Sequence, residues 1–414
     1  MRCLLAALLM VAATTSARAD DPPFAEKFLI EGRLAEGEKA LAERLATNEN
    51  DDQTRFGLGT IQFLRGVERL SQSMSRRGVA NQISPFGLML GRGPTLPFAP
   101  TADPKLTRYA DVRAGLQHWI DDLAKAEATL AKIKDDSVKL PLHFGQIRLD
   151  FNGDGKADED EILWKLYAQM NARAAQRVTA EGARDFVIGF DRGDVAWLRG
   201  YCHLLMAMTE AALAYDGKEL FARCGQLMFA KTDSPFSEIL RPNRKNAQGF
   251  EVDPFLDLIA AIHLMNMPLL EPKRMGESLK HMESVISLSR ESWKFYLAET
   301  DDDHEWIPNP KQATVMPGGA VTEEMVQGWM EFLAAADALL AGKTLVPFWR
   351  GPEGKGVNFR KVFTEPRDFD LILWVQGTAA VPYLENGPKM TGDDWRRLQR
   401  VFRGEFIGFA FWFN

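Results

Sequence analysis

Between residues 150 and 161 the chain reads DFNGDGKADEDE, with oxygen-bearing side chains spaced along one short arc. Asp150, Asn152, Asp154, Asp158 and Glu161 offer oxygen alone, with Gly155 and Lys156 among them. An oxygen-only donor set suits a hard cation, and calcium takes six to eight oxygens at about 2.3–2.6 Å. Carboxylates crowded into one loop repel each other unless an ion draws them together. An acidic turn opening a helix would account for Asp158 to Glu161, because negative charge favours a helix N-terminus. It would not account for Asn152, Asp154 and Gly155 together.

A second constellation is ETDDDHEWIPNPKQ at 299–312. Asp301, Asp302, Asp303, His304 and Glu305 could supply metal ligands or an acid–base pair, with Trp306 as a stacking wall. Consecutive residues point in different directions, so the plainer reading is a solvated loop leaving a helix. The histidines at 118, 143, 203, 263, 281 and 304 are scattered. His203 and His263 lie in apolar helical stretches, where a core histidine is commoner than a ligand. The chain carries no nucleophile elbow, zinc-protease pair, phosphate loop or dinucleotide fingerprint. No reaction is named by these residues.

The stretch 150–161 resembles an EF-hand calcium loop, D-x-[DN]-x-[DN]-G-x5-E, at every required position. That resemblance implies Ca²⁺ held by side-chain oxygens of Asp150, Asn152 and Asp154 and by the main-chain carbonyl of Lys156. Asp158 would act directly or through water, and Glu161 would grip with both oxygens. Gly155 would take the positive φ that wraps the chain around the ion. The departures bear on function. The segment before the loop, VKLPLHFGQIRL, contains Pro141 and alternates like a strand, where the family has a helix. The eighth loop position is Ala157, a weak pairing residue, and no second loop is found. A calcium sensor swings helices apart, so a fixed structural ion is expected here instead.

The elements that must position these residues are mostly helical. MRCLLAALLMVAATTSARAD has the layout of a secretory signal peptide: Arg2, an apolar run from Leu4 to about Ala13, then Ala17-Arg18-Ala19 before Asp20. Export to the periplasm or outside the cell is the expectation, with 1–19 removed. Removing Arg2 and Arg18 leaves 48 basic against 57 acidic residues, a net charge of −9. That balance gives no basic patch for nucleic acid or an anionic membrane. No later stretch reaches the ~18 uninterrupted apolar residues of a membrane span. The two remaining cysteines, Cys202 and Cys224, flank a turn at Tyr215-Asp216-Gly217. A disulfide across a helical hairpin is expected in an oxidising compartment, the alternative being two buried free thiols.

Residues 20–76 read as a helical hairpin. GRLAEGEKALAERLATNENDDQTRFGLG resembles one tetratricopeptide unit through Ala40-Leu41, Gly57 and Gly59. No further copy is found, so a repeat array is not expected. Residues 77–106 read as a long Gly/Pro-rich loop, followed by a helical region at 107–240 holding the acidic loop, and another at 241–414. Apolar spacing predicts helices near 108–134, 158–177, 194–215, 217–230, 253–266, 275–298, 321–342, 368–384 and 391–410. Strands are expected at 142–149 and 186–190, with a hairpin joining 345–349 to 357–363. Trp197, Trp293, Trp329 and Trp374 fall in helical patterns as core. The expectation is a mainly α, multi-helix globular protein with small strand pairs. In function it reads as an exported calcium-binding protein with one structural ion. The alternatives are a hydrolase built on dispersed carboxylates and a protein–protein adaptor using the N-terminal helices.

Overall fold

The computed structural model describes residues 22–79, 101, 103–165, 184–237, 253–315 and 320–402, with single positions at 182, 239, 406, 410 and 413. The leader expected at 1–19, most of the loop expected at 77–106 and most of the helix expected at 158–177 lie outside the described residues, as does much of 403–414.

The N-terminal region holds α1 (Glu26–Ile30), α2 (Leu34–Thr47) and α3 (Asp52–Arg76). One continuous helix is expected from Phe24 to Ala46, but the chain breaks at Gly32, whose φ is +66°. The polar break NENDD works as a cap: Asp51 Oδ1 accepts from the Thr54 amide at 2.8 Å, satisfying a donor of the first turn of α3. Then come α4 (Tyr109–Leu130) and two short strands, β1 (Leu140–Leu142) and β2 (Ile188–Phe190), paired antiparallel with Leu140 opposite Phe190. The strand expected at 142–149 is corrected: pairing with β2 runs over Leu140–Leu142 and meets the expected span only at Leu142. His143 donates its amide to Glu26 Oε1 at 2.7 Å, and a 3-10 turn over Phe144–Gln146 replaces the rest of the strand.

Next are α5 (Arg192–Leu213), α6 (Lys218–Cys224), α7 (Asp253–His263), β3 (Asn266–Met267), α8 (Pro272–Tyr296) and α9 (Glu323–Leu340). Thr322 Oγ1 accepts from the Met325 amide at 3.2 Å, and Gly342 ends α9 with a φ of +71°. Helices pack as a row in which α2, α3, α4, α5, α8 and α9 each lie against the next. The expected hairpin at 345–363 is corrected. β4 (Val346–Pro347) pairs with β5 (Lys355–Val357), but Asn358 then caps α10 (Phe359–Thr364), so the second strand stops at Val357. After β6 (Phe369–Asp370), which pairs with β3, comes α11 (Leu371–Gln376). The single helix expected over 368–384 ends there, because Gly377 takes a φ of +110° and Pro382 falls in the 3-10 turn that follows. β7 (Leu384–Asn386) adds a third strand beside β5, and α12 (Gly392–Val401) packs on α9.

The architecture is mainly helical with two- and three-residue antiparallel strands, as expected. One apolar cluster gathers α1 to α3, β1 and the segment Ile147–Phe151. A second joins α8 and α9 to the C-terminal aromatics, with Trp293, Trp329 and Phe413 fully enclosed. No described helix is long and apolar enough to cross a membrane.

The expected disulfide is not formed. Cys202 sits in the α4–α5 core against Leu123, Ala126 and Met206, while Cys224 closes α6 with its Sγ 3.9 Å from the Asp257 carbonyl on α7. The two thiols face different neighbours, because α6 turns to pack on α7. The core expectation also fails for His263, which is exposed.

Candidate functional site

The acidic loop is an excursion closed at its base. Arg148 and Ile162 face each other in an antiparallel bridge, and the Leu163 amide donates to the Ile147 carbonyl at 2.9 Å. The preceding segment has no α-helix: it is strand at Leu140–Leu142, a 3-10 turn at Phe144–Gln146 and extended again at Ile147. The helix expected from 158 does not start there. A 3-10 turn covers Glu159–Glu161, Ile162 is extended (φ −77°, ψ 134°), and helical geometry begins at Leu163.

Inside the arc the side chains fold back over the loop's own amides. Asp150 Oδ1 accepts from Gly153 N at 2.7 Å and its Oδ2 from Gly155 N at 3.0 Å. Asn152 Oδ1 accepts from Asp154 N at 2.7 Å, and Asp154 Oδ1 from Lys156 N at 2.9 Å. Gly155 has a φ of +90°, and a Cβ there would meet nothing within 4 Å, so backbone conformation alone calls for glycine. Glu161 is buried and reaches across the loop, its Oε1 accepting from Phe151 N and Asn152 N and its Oε2 from Asp158 N. Burial pushes the Glu161 carboxyl up, against those three amides, and the Asp150 charge adds to the rise. Asp154, Lys156 and Asp158 are exposed.

The loop is also tied to its surroundings. The Asp150 amide donates to Glu68 Oε1 on α3 at 3.0 Å, and Gln72 Nε2 donates to the Asp150 carbonyl at 2.9 Å. Burial, with the Asp150 charge added, pushes Glu68 up to about 7. Arg148 N donates to the Leu29 carbonyl at the end of α1. At Gly32 a Cβ would stand 2.2 Å from the Ala157 Cβ, so the turn between α1 and α2 lies directly against the loop.

A second site was only half legible. A cavity of about 970 Å³ opens between α1, β1, β2, α3 and the segment 303–305, with Glu26, His143, Asp191 and Glu305 in its wall. His143 Nδ1 lies 2.9 Å from Glu26 Oε1. Ligand-capable oxygens of Asp191, Glu299 and Glu305 lie within 4.8 Å of one another, close enough to share a metal ion or a proton. Among the described residues this is the group so tightly gathered; the carboxylates of 150–161 are not.

Local capping explains why acids collect here. Asp191 Oδ1 caps α5 by accepting from Gly193 N at 2.7 Å, and Asp194 Oδ2 accepts in return from Asp191 N at 3.0 Å. Asp194 is buried, takes the Tyr296 hydroxyl at 3.0 Å, and is raised well above the usual carboxyl range by burial and by Asp191. Burial and a hydrogen bond to Asp191 push Glu299 up to about 10, and burial pushes Glu305 up to about 7. The N-terminus of a 22-residue helix favours negative charge at this point.

Of the run 299–312, only Glu305 and Glu299 enter the cluster. Asp301 pairs with Lys139 and Asp302 Oδ1 accepts from Ala313 N, both at the surface. Asp303 and His304 line the cavity beside β2, where Gly189 N donates to the His304 carbonyl at 3.0 Å. Trp306 packs among Phe144, Phe190 and Trp197 rather than forming a stacking wall. Asp191 was legible as part of a turn, but its meeting with a segment over a hundred residues away was not. Along 24–76, Phe24 is the large apolar side chain left exposed among the described residues.

The chain matches no protein-family model, no curated protein and no solved structure.

Proposed function

We propose that this chain is an exported calcium-binding protein in which one ion, held by residues 150–161, braces the N-terminal helices against the body. Asp150, Asn152, Asp154, Asp158 and Glu161 would supply side-chain oxygens, and Lys156 its carbonyl. The observation that carries this reading is the reach of Glu161 back to the amides of Phe151 and Asn152. It ties the last donor position of the loop to the backbone just after Asp150, the first. The loop's ties to Leu29, Glu68, Gln72 and Gly32 are why an ion there would act as a brace. Extracellular calcium modules bind at roughly 10⁻⁴–10⁻³ M, which suits a loop whose donors are partly exposed. Thermal melting of the mature chain with and without a chelator tests it: calcium should raise the midpoint, and an unchanged midpoint rejects the brace.

The two sites are connected. α1 carries Glu26, which holds His143 at the cavity wall, and the loop is bonded to the end of α1. A brace at 150–161 would therefore also keep the cavity in shape.

A second reading is hydrolysis in that cavity, favoured by Asp191 and Glu305 in its wall and by their meeting with Glu299. A carboxyl pushed up to about 7 beside other acids is suited to donating a proton near neutral pH. The cavity volume lies in the range of small-molecule sites. Turnover of chromogenic glycosides or esters by the mature chain, abolished in Glu305→Gln, would support it. No turnover across such a panel would reject it.

A further inference from the structure

We propose that α7 and α11 together form the interface through which two copies of this chain associate. Phe255, Leu256, Ile259 and Ile262 are exposed on α7, while Ala261 is buried on its inner side. Phe255 stands 66% exposed, an unusual state for a large aromatic on a two-sided helix. α11 packs on α7, and Ile372, Leu373 and Val375 are exposed on it, Val375 by 71%. The Leu371 amide donates to the Met265 carbonyl at 2.9 Å, and β3 pairs with β6, so the end of one helix is bonded to the start of the other. Trp349, 73% exposed, adjoins the far end of α11, where Arg350 Nη1 donates to the Gln376 carbonyl.

Scaled by ordinary side-chain areas, these exposures amount to roughly 800 Å² of apolar surface, about what each partner gives to a standard stable interface. Contiguous apolar patches on monomers rarely exceed about 300–600 Å². Charge selects the occupant. Neither α7 nor α11 contains Lys or Arg; Asp257, Asp368 and Asp370 lie on or beside them, with Arg350 and Arg367 beside α11, and the whole chain is net −7. An anionic bilayer is attracted by basic segments and would be repelled here. A second copy offers the same largely apolar face about a two-fold axis, which closes the assembly at two. This inference does not depend on calcium or on the cavity.

Sedimentation equilibrium of the full mature chain tests it. The expected result is a species of twice the monomer mass, with a dissociation constant of roughly 1 μM or tighter. The double variant Ile259→Asp/Val375→Asp should run as a monomer that still unfolds cooperatively, with a melting midpoint that no longer rises with protein concentration. Met208→Asp, exposed on α5 away from the patch, should remain a dimer. A wild-type monomer well above micromolar concentration, or a double variant still dimeric, overturns the proposal. Flotation of a monomeric chain with zwitterionic vesicles would also overturn it, by assigning the face to a lipid surface.

Discussion

Glu161 Oε1 accepts a hydrogen bond from the Asn152 amide at 3.1 Å, joining the two ends of the acidic loop across nine residues. Replacing Glu161 by Gln keeps the side-chain length but removes the charge and one acceptor. Glu161→Gln should lose about 1–2 kcal/mol of stability without calcium and most of the calcium-dependent gain. Urea unfolding at matched free calcium separates the two effects.

Gly155→Ala probes the wrap itself. At φ +90° an added methyl meets no neighbour, so any loss is conformational. A cost of about 1 kcal/mol is expected, with Gly155→Asn milder because Asn tolerates left-handed backbone better. Equal losses for both variants would show that something other than φ selects glycine.

His203 and His281 place their Nδ1 atoms 2.8 Å apart, between α5 and α8. Burial first, and then the charge of His203, lower His281 from its ordinary 6.5, while Glu277 and Glu127 act the other way. As pH falls, the unfolded chain takes up this proton first, so the stabilising contribution is held above about 6.5 and lost below it. Denaturant unfolding between about pH 7.5 and 5 should therefore show His281→Gln losing less stability on acidification than wild type. A parallel fall in both would reject the assignment.

Neither thiol should react while the chain is folded. Cys202 is held far up by burial, and Cys224 is pushed up to about 11 by burial and by Asp257. Thiolate is the reactive form, so a disulfide reagent should label neither in buffer and both in guanidinium. Non-reducing mass spectrometry should find two free thiols, and a Cys202–Cys224 link would contradict the packing.

Signals confined to a few consecutive residues were legible in the sequence. The cap at Thr322, the polar break at NENDD and the mainly helical class all follow from local chemistry. Elements whose ends depend on tertiary contacts were not. The helix expected through 368–384 ignored what Gly377 does at +110°, and the strand expected through 363 ignored Asn358 as a cap. The apolar stretch carrying His263 looked like core because periodicity records a face without saying what covers it. Asp191 and Glu305 were each visible, yet their meeting depends on β2 lying against the 303–304 backbone, which no spacing in the chain encodes.

Calorimetric titration of the chain with Ca²⁺ decides whether residues 150–161 hold an ion. One saturable site is expected, with a dissociation constant of roughly 10⁻⁴–10⁻³ M, lost in Asp150→Asn/Glu161→Gln and retained in Glu305→Gln. Absence of saturable heat would contradict the loop as a calcium site. Binding that survives Asp150→Asn/Glu161→Gln but disappears in Glu305→Gln would move the ion to the carboxylate cluster.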